Sequence, residues 1–164
     1  MSFRKGAPVS CMLPDELQEN PTAAALADIA TTGNVAYGEL TIEVAPSSIL
    51  DALRRAKHQL GFERLSTVTG VDRFPAEPRF EVVYHLQAIQ RREWLRLKVR
   101  LPGANPEVES AFAVYRSANW YERETFDLFG IRFLNHPDLR RIMMPDDWPG
   151  HPLRKDYPVT GERY

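Results

Sequence analysis

Between positions 137 and 158 the chain carries Pro137, Pro145, Pro149, Pro152 and Pro158, five prolines in 22 residues. Each removes a backbone donor and fixes φ, so neither a long helix nor a sheet ladder can run through this stretch. The same stretch holds Leu139, Ile142, Met143, Met144, Trp148 and Leu153. Disordered tails are poor in such side chains. An extended arm with large apolar anchors must lay them on something, either its own domain or a partner.

Upstream of the arm the hydrophobic periodicity is regular. A short helix is predicted over 22–31, with Leu26 and Ile29 on one face and Gly33 as its stop. Leu40, Ile42 and Val44 alternate with Thr41 and Glu43, which predicts a strand over 39–44. A helix over 48–60 follows, capped by Ser48 with Asp51 three residues on and ended by Gly61. Three strands come next: 65–72, then one with Phe80, Val82, Tyr84 and Leu86 on one face, then 94–101. In the last, Leu95, Leu97, Val99 and Leu101 face in while Trp94, Arg96, Lys98 and Arg100 face out. Short connections make these three an antiparallel meander.

Asn105 and Pro106 read as the start of a helix over 105–115. A second is predicted over 119–129, capped by Asn119, with Tyr121, Thr125, Leu128 and Phe129 facing the core. Gly130 stands where a left-handed C-cap belongs. Runs of strands with helices able to cover one face predict a two-layer α+β domain. The expected division is an N-terminal segment with a short helix (1–34), a core domain (35–130) and a proline-rich arm (131–164).

Composition narrows the function classes. With 43% apolar and 26% charged residues the chain is an ordinary globular one. A net charge of −1 implies no general attraction to nucleic acid or anionic membranes. No window approaches the roughly 18 apolar residues of a membrane span. The first residues, MSFRKGAPVSCMLPDELQEN, lack the continuous apolar core of a secretory signal, so none is expected. The lone Cys11 cannot form an internal disulfide or a four-cysteine iron–sulfur or zinc site. There is no GxGxxG or GxxxxGK phosphate cradle, and Ser110 and Ser117 lie in no GxSxG elbow.

Glu122, Glu124, Asp127, His136 and His151 are the one cluster able to suggest metal or acid–base chemistry. Glu124 and Asp127, three apart on a helix, share a face. With His136 they could serve a small metal-dependent hydrolase. Against this, there is no HExxH motif, and both histidines precede proline. Arg123, Arg140, Arg141, Arg154 and Lys155 balance the nearby acids, with Asp138, Asp146, Asp147 and Asp156 completing the set. Such interleaving reads as an ion-pair network that fixes the arm's register. The stripe of Arg96, Lys98 and Arg100, with Arg91 and Arg92 before it, reads as a solvated face or partner contact rather than a nucleic-acid surface.

Glu122-Arg123-Glu124, Asp127, Gly130-Ile131, Phe133, His136-Pro137-Asp138-Leu139-Arg140-Arg141, Trp148 and Gly150-His151-Pro152-Leu153-Arg154-Lys155-Asp156 together closely resemble a known signature. It is that of the 30 kDa subunit of respiratory complex I, the NADH-quinone oxidoreductase of bacteria. The resemblance runs over roughly 37 positions, 122 to 158. It implies a mixed sheet with helices packed on it, and a non-catalytic structural subunit of the enzyme's peripheral arm. Electrons would pass from NADH through FMN and iron–sulfur clusters to quinone, all bound by other subunits, with no cofactor in this chain. It further implies contact with the 49 kDa-type subunit and neighbouring iron–sulfur subunits. The membrane would be reached only through the complex, on the cytoplasmic side of a bacterial inner membrane. Tyr164 follows the motif closely, so the form without a fused neighbouring subunit is expected. The equivalent subunit of a related membrane hydrogenase or a ferredoxin-fed dehydrogenase is the alternative within the same class.

Overall fold

The computed structural model describes residue 17 and residues 19–158. Cys11 and Tyr164 lie outside them, as do residues 1–16 and 18 of the N-terminal stretch read as lacking a secretory signal. Five strands form one mixed sheet: β1 (Ala30–Ala36), β2 (Glu39–Val44), β3 (Arg64–Asp72), β4 (Phe80–Ala88) and β5 (Glu93–Leu101). Their spatial order is β1-β2-β5-β4-β3. The meander β3-β4-β5 is antiparallel, β2 lies parallel to β5, and β1 turns back antiparallel on β2.

Alternation along β5 sorts the two faces. Leu95, Leu97, Val99 and Leu101 are buried against the helices, joined by Ile42 from β2 and Phe80, Val82, Tyr84 and Leu86 from β4. The helix α2 (Ile49–His58) closes this face with Ile49, Ala52, Leu53 and Ala56. The other face is polar, and its bases are matched by acids on neighbouring strands. Arg96 meets Glu39 at 2.5 Å, Lys98 meets Glu81 at 2.9 Å and Arg100 meets Glu43 at 3.1 Å. A stripe neutralised in this way has little reach toward a nucleic acid.

The helix α3 (Ala118–Phe129) packs on β3 at the sheet edge and carries the arm. Its seat depends on Gly70 in the middle of β3. A Cβ there would meet Phe129 Cδ2 at 2.8 Å and Thr125 Cγ2 at 3.1 Å.

Four expectations need correction. The first helix, α1, spans only Pro21–Leu26, capped by Asn20 Oδ1 accepting from Thr22 N–H at 2.9 Å. Ala27 to Ile29 form a turn, β1 begins at Ala30, and Gly33 pairs with Ile42 instead of stopping a helix. The helix over 105–115 is absent: β6 (Glu107–Glu109) pairs parallel with β7 (Arg132–Leu134), and a single 3₁₀ turn, Ala111–Ala113, follows. Burial of Val108 and Phe133 wins there over the start signal of Asn105 and Pro106. Ser48 makes no side-chain cap, because a 3₁₀ turn at Pro46–Ser48 leads into α2. Asn119 lies inside α3, whose cap position is Ser117.

Gly70→Ala is expected to lower the unfolding free energy by about 1–3 kcal/mol, because the new methyl overpacks a seat with no slack. Chemical denaturation of the free protein measures it; an unchanged midpoint would show that α3 is not seated this way.

Candidate functional site

A helix leaves its last carbonyls without partners, and at the end of α3 the arm supplies them. Gly130, left-handed at φ +73°, donates its N–H to Phe126 O at 2.8 Å. His151 Nδ1 lies 2.8 Å from Asp127 O, so that nitrogen carries the ring proton. Leu153 N–H reaches Leu128 O at 3.1 Å, and Arg154 Nε donates to Phe129 O at 2.7 Å. A cation at this end also suits the helix dipole. Only glycine fits at 130, since a Cβ would come within 2.5 Å of both His151 and Arg154.

Asp127, fully buried, holds the arm's first turn. Its Oδ2 accepts the N–H groups of Ile142 (3.0 Å), Met143 (2.7 Å) and Met144 (2.9 Å). Its Oδ1 pairs with Arg141 Nη1 at 2.8 Å, while Arg141 Nη2 reaches Gly150 O at 3.0 Å. Burial works against the charge, but these donors outweigh it and hold the carboxyl below its ordinary value. Arg123, stacked over Trp120 at 5.0 Å, donates to the carbonyls of Arg140 and Arg141.

A second clasp lies at the far end of the arm. Arg79 sits between Asp72 at 2.8 Å and Asp156 at 2.6 Å, and Lys155 N–H donates to Asp72 Oδ2 at 2.9 Å. Burial raises the Asp72 carboxyl, yet Arg79 and two backbone donors bring it down to about 2.

Glu122 belongs to a separate, buried site. Its carboxylate accepts from Ser110 Oγ at 2.5 Å and from Ala111 N–H at 2.6 Å. His136, the first residue of the arm's signature, has a fully buried ring with Nε2 3.9 Å from Glu122. Its Nδ1 accepts Asp138 N–H at 3.1 Å, so the proton sits on Nε2, directed at Asn119 O 3.3 Å away. Burial lowers the His136 ring and pushes Glu122 up to about 7. Both groups favour their neutral forms, and their contact is not an ion pair.

The structure therefore separates the residues that a hydrolase would need to converge. Glu124 is exposed, Asp127 is engaged by its four donors, and His136 turns toward Glu122 and Asn119. Among the described residues no three His, Cys, Asp or Glu side chains stand close enough to hold a metal ion. Pro137, Asp138 and Arg140 are exposed, with Arg140 Nε on Asp138 at 3.0 Å. Leu139 packs on the core edge, and Trp148 and Pro152 are half-buried. Asp72, Arg79 and Ser110 take part although sequence reasoning did not single them out. All three sit far from the arm along the chain, where no spacing rule reaches.

Residues 42–163 match the profile of the family described as respiratory-chain NADH dehydrogenase, 30 Kd subunit. The chain belongs to that family. A relative from Geobacter sulfurreducens, the C-type member of the NADH-quinone oxidoreductase subunits, is 50% identical over 125 residues, 76% of this chain and 77% of its own. Its counterpart from Roseiflexus castenholzii is 45% identical over 151 residues, covering 88% and 87%. Among solved structures, a trypsin-resistant fragment of Nqo5 superposes with a TM-score of 0.60 at 30% identity, covering 64% of this chain and 86% of the fragment. A chain of the membrane-bound sulfane sulfur reductase, an archaeal respiratory membrane complex, gives a TM-score of 0.69 at 29% identity, covering 77% and 76%.

Glu122 makes this 30 kDa-family fold pH-sensitive in a defined direction. Its folded value of about 7 exceeds its ordinary 4.5, so the native state holds the extra proton between them. The associated stability is complete below pH 4.5 and is lost as pH rises toward 7. Glu122→Gln keeps an acceptor for Ala111 and cannot ionise. It is expected to remove this downward component from the stability profile and to match or exceed the parent protein at neutral pH. Denaturant titrations across that window test it, and an unchanged slope would place the titration elsewhere.

Proposed function

We propose that the chain is a non-catalytic structural subunit in the peripheral arm of a proton-translocating NADH:quinone oxidoreductase. The family match over residues 42–163, which takes in the whole arm, carries this reading. As part of that enzyme the chain serves transfer of electrons from NADH to quinone. It holds no flavin, iron–sulfur cluster or quinone of its own; FMN, clusters and quinone belong to other subunits. A single cysteine and the lack of a glycine-rich cradle in the sequence support that assignment.

The partners are the 49 kDa-type subunit and the neighbouring iron–sulfur subunits. What favours docking at the arm is the way its groups divide. Backbone amides and the Arg141, His151 and Arg154 side chains close on α3, while Met143 (59% exposed), Leu153 (52%) and Trp120 (63%) stay outside beside exposed charges such as Asp138 and Arg140. Exposed apolar side chains framed by a rigid, hydrogen-bonded scaffold suit a protein interface. Among the described residues no helix is long and apolar enough to cross a membrane. The location that follows is peripheral, on the cytoplasmic side of a bacterial inner membrane, through the complex. The structural likeness to the sulfane sulfur reductase complex favours a second reading, the same scaffold in a respiratory membrane complex with another electron donor or acceptor.

Two arginines separate folding from docking. Arg154 is turned inward on Phe129 O and stacks at 5.1 Å over Phe80, so it belongs to the domain and not to an exposed arm. Arg154→Ala is expected to cost the free protein about 1.5–3 kcal/mol through its charged hydrogen bond. Arg140→Ala, on the exposed side, should change free-protein stability by only about 0.5 kcal/mol, yet remove about 2–5 kcal/mol from association. Melting curves of the free protein and native-gel yields of intact enzyme are read together. Normal assembly with collapsed turnover in Arg140→Ala would contradict the docking role.

A further inference from the structure

At the end of the sheet opposite the Arg79 clasp, the β1–β2 hairpin and the β4–β5 turn stand side by side. The nine residues of β5 put these two ends about 30 Å apart at ~3.3 Å per residue. The two turns frame an open cavity of about 160 Å³. The buried Leu40 and Phe62 and the part-exposed Val35 and Trp94 line it, together with Arg92 and with Glu93, which is held by Arg91. Val35 is 52% exposed and Trp94 39%, so large apolar surface that the sheet could have covered is left open.

Tyr37 at the hairpin tip is fully exposed, and its φ of +55° followed by +79° at Gly38 makes a two-residue turn of the I′ kind. Such turns prefer Asn or Asp before Gly, and a bulky residue there works against the backbone. Folding gives no reason for an aromatic at this place. The Arg92 guanidinium has no acid partner among the described residues, whereas its neighbour Arg91 is held by Glu93 at 3.0 Å.

We infer that this end is a second docking surface, which receives a segment of another subunit carrying an apolar side chain for the cavity beside a carboxylate for Arg92. The inference rests on the reading of the chain as a subunit of a larger enzyme. The apolar walls call for the first group and the unmatched cation for the second. Tyr37 widens the footprint beyond one side chain, in the manner of the aromatic anchors that concentrate binding energy at interfaces. The arm runs along α3 at the β3 edge, so the domain holds this surface and the arm as two distinct faces.

The test uses the assembled enzyme. A photo-reactive phenylalanine analogue replaces Tyr37, the enzyme is purified and irradiated, and cross-linked peptides are sequenced. In parallel Arg92→Glu and Arg92→Lys are compared for yield of intact enzyme. The expected result is a cross-link to one segment of another subunit with an acidic and an apolar residue together. Arg92→Glu should lower the yield about tenfold or more by setting like charges against each other. Arg92→Lys should keep most of it, and neither variant should shift the melting curve of the free protein. A cross-link confined to residues 1–16 of this chain, to a second copy, or to nothing would overturn the inference, as would normal assembly of Arg92→Glu. Failure of the chain to purify with any enzyme would instead overturn the subunit reading.

Discussion

Three consecutive backbone N–H groups, from Ile142, Met143 and Met144, converge on one oxygen of the buried Asp127. Prolines deny this arm any regular ladder, so its amides need individual acceptors, and a carboxylate is the strongest that a helix can offer. The negative charge is itself stable only because those donors and Arg141 replace the water it has lost. Helix and arm are thus mutually required. The arm closes the carbonyls at the end of α3, and the helix gives the arm its first fixed turn. Gly130, Gly70 and the Arg79 clasp then follow as conditions for the same seat.

This arrangement makes a segment without regular secondary structure rigid. Its Ile142, Met143, Met144 and Lys155 amides and the Arg141, His151 and Arg154 side chains are committed inward at spaced points along α3 and at Asp72. Outside lie Met143, Leu153 and the helix residue Trp120, among exposed charges such as Asp138, Arg140, Asp146 and Asp147, on a backbone fixed from within. Preorganisation of that kind lowers the entropic cost of association. The charged open face of the sheet is neutralised strand to strand, Arg96 by Glu39, Lys98 by Glu81 and Arg100 by Glu43.

Much of this was legible in the sequence where one period dominates. The alternation of Leu95, Leu97, Val99 and Leu101 identifies β5 and its inward face without help. Gly130 as a left-handed stop followed from its place after an apolar helix. The balance of acids and bases in the arm pointed to an ion-pair network, although not to which acid meets which base. Elsewhere a local signal was outweighed by tertiary contacts. Asn105 and Pro106 resemble a helix start, yet Val108 is better buried against Phe133 in a short parallel pair. Thr31 to Ala36 lack alternation because β1 is an exposed edge strand, so only its pairing with β2 reveals it. Arg154 read only as one base of the arm's charge balance, since nothing in one dimension shows that the chain returns to the end of α3. The partners of Glu122 and Asp156 come from Ser110 and Arg79, which no spacing rule connects to them.

The account stands on Asp127 as the charge that orders the arm, and Asp127→Asn isolates it by keeping the shape and removing the charge. Amide hydrogen exchange at Ile142, Met143 and Met144 is the direct readout. Hydrogen bonds to a charged group contribute about 1.5–3 kcal/mol, so exchange at these three amides should speed up by about tenfold to a hundredfold while β4 and β5 keep their protection. Unchanged exchange in the arm would contradict the account, because it would mean that something other than this carboxylate holds the turn.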